Sequence, residues 1–91
     1  MQNPSQQSMQ QLEASFSVLT MSIASSAVMS LGLAPNPHDG NKTTVDKDMA
    51  RFNIDLLLML KEKTTGNLNS DETQFLQSII NDLQTKFLNT K

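Results

Sequence analysis

The residues with the greatest chemical potential are few. A single histidine, His38, stands beside Asp39 in a loop that also holds Pro35, Pro37 and Gly40. A histidine next to a carboxylate is raw material for a general base or a metal site. One imidazole does not complete a transition-metal cage, however, and the chain has no cysteine to add thiolates. His38 therefore reads as a solvated loop residue. The acidic loops fail as calcium sites. Counting from Asp39, the sixth and twelfth positions of an EF-hand loop fall on Thr44 and Ala50; counting from Asn67, they fall on Glu72 and Ser78. Both registers lack the glycine for the sharp turn and the terminal bidentate glutamate. The three glycines stand too far apart to cradle a phosphate. Serines are plentiful, but no motif places the histidine to activate one. The sequence thus predicts no catalytic, cofactor-binding or metal-binding residue, no bound cofactor, and no enzyme.

Two other groupings have a bland and a functional reading. On a helix, Arg51, Asp55 and Glu62 share one polar strip roughly 40° wide. Arg51 and Asp55 are spaced for an i, i+4 pair, which at an exposed site contributes about 0.3–0.5 kcal/mol. The strip reads as the wet edge of an otherwise apolar helix, with a paired contact to a partner as the alternative. Six methionines suggest an adaptable binding surface. Met1 and Met9 fall in the polar amino-terminal segment, so core filling is the better reading for the remaining ones.

The elements that position these residues are helical. A chain of 91 residues suits one small domain, expected here over residues 10–91 behind a disordered tail, residues 1–9, that is polar, Gln-rich and broken by Pro4. No Lys or Arg precedes the apolar stretch, so the start does not read as a signal peptide. The net charge of −2, the scattered basic residues and the absence of Trp and Tyr give no footprint for nucleic acid. Three helices are expected, at about 10–31, 47–64 and 70–88. Gly32 suits a left-handed C′ position after the first, and Pro35 and Pro37 forbid its continuation. Asp46 suits an N-cap for the second, with Val45 and Ala50 as a weak hydrophobic staple, and Lys61 and Lys63 oppose the negative end of its dipole. Asn69 and Glu72 form a capping-box variant before the third. Leu and Met in "NIDLLLML" favour helix over strand.

The faces of these helices are unequal. The third carries one stripe, Leu76, Ile79, Ile80, Leu83 and Phe87, with Gln77, Asp82 and Lys86 toward water. The second is apolar over roughly 260° of its circumference. A helix apolar nearly all round is buried on most sides, and two short neighbours do not cover it. The first shows a main face of Leu12, Phe16, Leu19, Ile23 and Ala27, and a second of Val18, Met21, Val28 and Met29. Between them runs a strip of Ser15, Ser22 and Ser26 that permits close helix approach. Residues Ala14 to Pro37 hold no charged side chain. Ala14 to Ala34 is long enough to span a bilayer, so a small membrane-associated protein anchored by residues 14–34 is the alternative reading. Seven hydroxyl side chains within that stretch, and the lack of flanking basic or aromatic anchors, favour burial against protein.

The run "SFSVLTMSIASSAVMSLGLAPNP", followed by "VDKDMARFNIDLLLMLKEKTTGNLNSDETQFLQSIINDLQTKF", resembles a family of small bacterial proteins, the domain of unknown function numbered eighteen forty-four. The resemblance covers about Glu13 to Leu88. Its most specific pieces are Leu31-Gly32-Leu33 before the two prolines, Ile54-Asp55-Leu56-Leu57, and Lys63-Thr64-Thr65-Gly66-Asn67-Leu68. The chain departs from the family pattern at Asn69-Ser70, where Thr-Pro is expected, and in the polar loop "HDGNKTTVD". The resemblance implies a bacterial origin and a cytoplasmic location, and it brings no catalytic residue. The expectation is an all-α oligomeric helical bundle acting as a noncatalytic cytoplasmic interaction or structural module. Its partner is expected to be a second copy of itself, in a homodimer or higher oligomer, with an unidentified protein as the other candidate. The expected interface is Val18, Met21, Ser22, Ser25, Met29, Phe52, Leu56 and Met59.

Overall fold

The computed structural model describes residues 15–37 and 40–90. Three helices follow one another: α1 (Phe16–Ser30), α2 (Lys47–Lys63) and α3 (Ser70–Asn89). Among the described residues there is no strand, only two isolated antiparallel bridges, Leu31 with Val45 and Asn36 with Lys42. The expected all-α fold is therefore correct. The expected helix start at Gln10, and the placement of Leu12, fall outside the described residues. The described part of α1 opens at Ser15, whose extended backbone marks it as the N-cap and whose hydroxyl accepts from the Val18 amide at 3.1 Å.

The end of α1 is a Schellman motif. Gly32 lies at φ +74°, its amide donates to the Met29 carbonyl, and the Leu33 amide donates to the Val28 carbonyl. A Cβ on Gly32 would stand 2.8 Å from Val45 Cγ2, so the site demands glycine for both conformation and space. Val45, expected to staple onto Ala50, instead lies half exposed against Gly32. The connection then turns back on itself. The Asn36 amide donates to the Lys42 carbonyl, and the Asp46 amide reaches the Ser30 carbonyl at 2.7 Å. This brings the end of α1 to the start of α2.

Asp46 caps α2, accepting from the Met49 amide at 3.1 Å. At its far end, the Thr64 and Thr65 hydroxyls donate to the Leu60 and Lys61 carbonyls. Asn69 and Glu72 form a complete capping box at the start of α3, at 2.8 and 2.9 Å. The helices α2 and α3 pack antiparallel. Lys47 Nζ, at the start of α2, donates to the carbonyls of Phe87 (2.9 Å) and Thr90 (2.7 Å) and sits 4.0 Å from the Phe87 ring centroid. Lys61, near the end of α2, meets Gln77.

Each helix packs on both others, α1 on α2 most extensively. The core joins Ala24, Ala27 and Leu31 to Ala50, Ile54 and Leu57 and to Leu76, Ile80 and Leu83. Leu83 sits where the stripe of α3 places it, and Leu57 of α2 is fully buried opposite. On α1 the inner face is corrected at one position. Phe16, Ile23 and Ala27 pack on the core as expected, but Leu19, assigned to the same face, is 47% exposed, and its neighbour Thr20 is fully buried. The buried residues of α1, Thr20, Ala24 and Ala27, are small, and they share the interior with Ala50 and with Asn53, whose side-chain amide donates to the Met49 carbonyl. Thr20 Oγ1 is buried without a hydrogen-bond partner.

Among the described residues, no helix is long and apolar enough to cross a membrane. The apolar stretch 14–34 does not form the anchor of the alternative reading, because α1 has 15 residues and so spans about 22 Å of a ~30 Å hydrocarbon layer. The glycine cap and the turn after it end the helix where a span would have to continue.

Candidate interaction surface

The helix α1 carries more large apolar side chains than its inner face takes up: Phe16, Ile23 and Val28 pack on the core, while Val18, Leu19 and Met21 are exposed. On α2, Ala50, Asn53, Ile54 and Leu57 turn inward, which leaves Met49, Phe52 and Met59 in solvent and Leu56 half-buried. Met49, Phe52, Leu56 and Met59 follow one another at spacings of three, four and three, so they form one straight seam along the helix. Phe52 is 56% exposed, although a phenyl ring in the middle of a helix is ordinarily a core residue.

The seam of α2 and the outer side of α1 meet along a cleft, at Met49 and Met29. A polar cleft of about 470 Å³ between the two helices is lined by Ser26, Met29 and Ser30 of α1, Met49 and Asn53 of α2, and Asn36, Thr44 and Asp46 of the connection. The serines along this edge satisfy themselves. Ser22, Ser26 and Ser30 donate to the carbonyls four residues earlier, at 2.9, 3.3 and 2.8 Å. Their hydroxyl protons are thus already committed, and covering them strands no donor.

The structure divides the residues expected at the interface. Phe52, Leu56 and Met59 lie on the α2 seam. Val18, Ser22 and Met29 occupy the crest of α1 opposite the core. Met21 and Ser25 turn the other way. They line a separate cleft of about 420 Å³ against α3, with Val28, Ile79 and Leu83. Leu19 and Met49 join the α1–α2 surface although the sequence did not single them out for it. The signal for Leu19 was the size pattern of α1: Thr20, Ala24 and Ala27 share a face at helical spacing, and a row of small residues packs closely against another helix.

The polar strip of α2 borders the far edge of the seam, on the side away from α1. Arg51 and Asp55 border a cleft of about 360 Å³ between α2 and α3, with Ile54, Leu58, Gln84, Phe87 and Leu88. They do not pair with each other. Among the described residues, the ion pair present is Lys86–Asp82, on α3. Asp48, Asp55 and Glu62 are all exposed and recur every seventh residue, which makes an acidic edge along the α2 seam. His38 and Asp39 lie outside the described residues.

The family model described as "Domain of unknown function (DUF1844)" matches residues 13–89. The chain belongs to the DUF1844 family. No curated protein and no solved structure matches it. All three helices, both capped connections and the whole α1–α2 surface fall within the DUF1844 match. The family name carries no activity with it.

Proposed function

We propose that this DUF1844 chain is a noncatalytic interaction or structural module that works in the cytoplasm as a homo-oligomer, most simply a dimer. The observation that carries the reading is the exposure of Phe52 with Met49, Met59, Val18 and Leu19 on one side of the bundle. A contiguous apolar patch of this kind on a small soluble domain marks an interaction site. A two-fold partner covers the α1 and α2 parts of the patch together, because each copy offers the same surface to the other. The cytoplasmic placement rests on the family resemblance.

Size-exclusion chromatography with light scattering tests the reading. The chain should run at twice its monomer mass of 10.1 kDa at micromolar concentration. A stable monomer at high micromolar concentration would overturn it.

A further inference from the structure

We infer that the two copies dock crosswise, with α1 of each protomer lying over the α2 seam of the other, so that Phe52 enters the strip of Leu19, Ser22 and Ser26 of its partner copy. This rests on the homo-oligomer reading and adds the faces that meet. Three observations lead to it: the area of the patch, the distribution of charge, and the state of the serines.

The area is of the right order. Val18, Leu19, Met49, Phe52 and Met59 are each between 41% and 56% exposed. Together they leave on the order of 400 Å² open if a large side chain contributes about 150–200 Å² when fully exposed. That lies within the ~300–600 Å² of the largest apolar patch on a typical monomer, a patch that is often functional. It is about half of the ~800 Å² that each partner contributes to a standard interface, and Ser22, Ser26, Met29 and Leu56 between them extend it.

Charge bears on the register. Pairing α2 with α2 of the second copy in antiparallel fashion brings the two Asp55 carboxylates together and sets Asp48 near the other copy's Glu62, and it draws the exposed Arg51 and Lys63 of each copy into the same contact, where charges of both signs must be desolvated. Parallel pairing instead aligns the helix dipoles, positive end beside positive end. In contrast, α1 carries no charge along its whole length, Phe16 to Ser30. Laid across the seam, it meets the methionines and Phe52 and sets no carboxylate against another. The serines allow close approach. Ser22 and Ser26 are small, and their hydroxyls already donate within α1, so a phenyl ring covering them leaves no unpaired donor.

The absence of cysteine makes the test direct, since any introduced thiol is the only one in its chain. Chains carrying Ser22→Cys and chains carrying Phe52→Cys are mixed and mildly oxidised, and the linked peptides are identified by mass spectrometry. A disulfide joining the two kinds of chain should dominate over either kind joined to itself. In parallel, Phe52→Glu should weaken self-association at least ~30-fold, the scale of a central anchor. Met21→Glu in the α1–α3 cleft and Leu88→Glu at the end of α3 should change it by less than ~3-fold. Far-UV circular dichroism checks that each variant keeps its helix content. Preferential joining of Phe52→Cys chains to one another, or dissociation by Met21→Glu and not by Phe52→Glu, overturns the crosswise docking and leaves the homo-oligomer in place. A monomeric wild-type chain overturns both.

Discussion

Helices α1 and α3 flank the same core and are built on different plans. In α3, the buried positions hold large side chains: Leu76, Ile80 and Leu83 are buried, while Asp82, Gln84 and Thr85 face water. In α1 the buried positions hold small ones, Thr20, Ala24 and Ala27; Phe16, Ile23 and Val28 pack partly buried beside them, and Val18, Leu19 and Met21 face outward. The two plans stabilise a bundle in different ways. The inner face of α3 contributes buried apolar area, roughly 25 cal/mol for each Å² removed from water. The inner face of α1 contributes proximity: small residues let its backbone approach α2 at Ala50 and Asn53, so that many weak dispersion contacts add up. Their outer faces differ to match. The outer face of α3 carries charges, including the Lys86–Asp82 pair, whereas α1 has none to keep its outer face in water.

The contrast can be broken at its strongest point first. Leu83→Ala removes a large side chain from the inner face of α3, and denaturant titration should show a loss of about 2–5 kcal/mol. A loss below ~1 kcal/mol would mean that α3 does not supply core volume as described. On α1 the opposite change is the damaging one. Ala27 is fully buried, so Ala27→Leu should overpack the α1–α2 contact and cost about 1–3 kcal/mol. If the larger side chain is neutral or stabilising, the inner face of α1 is loosely packed and closeness is not its role. The smallest effect belongs to the outer face. Leu19→Gln, measured in the Phe52→Glu background so that association does not contribute to stability, should change unfolding free energy by no more than ~0.5 kcal/mol. A larger cost would return Leu19 to the core.

Much of this fold was legible because its boundaries are written in side chains that cap. Asp46, Asn69 with Glu72, and Gly32 each do what their types and positions imply, and the ends of α2 and α3 fall within one residue of expectation. The stripe of α3 was equally legible, since hydrophobicity and burial coincide there. On α1 they do not. Reasoning from apolar periodicity weighs Leu19 above Thr20, yet helix approach depends on volume, and at that contact the smaller, partly polar residue lies inside. Asn53 escaped notice for a related reason: its amide is satisfied by the Met49 carbonyl, so it is buried at little cost. The candidate surface was only partly legible. The sequence showed an excess of apolar residues on α1 and α2. Assigning Met21 and Ser25 to the α3 side and Leu19 and Met49 to the α1–α2 side requires knowing which neighbour each helix leans on.

Lys47 ties the two ends of the α2–α3 hairpin together. Its ammonium donates hydrogen bonds to carbonyls 40 and 43 residues further along the chain and rests on the Phe87 ring. The terminal carbonyls of a helix have no partner within the helix itself, and an isolated end frays for that reason. Here the donor arrives from the first residue of α2, so the final turn of α3 depends on the first turn of α2. In kinetic language, fraying of either segment gives up the Lys47 contacts, and those contacts form only after the hairpin between them has closed its loop. The carboxyl-terminal turn is thereby a late contact in the order of assembly, held by a residue placed long before it in the chain.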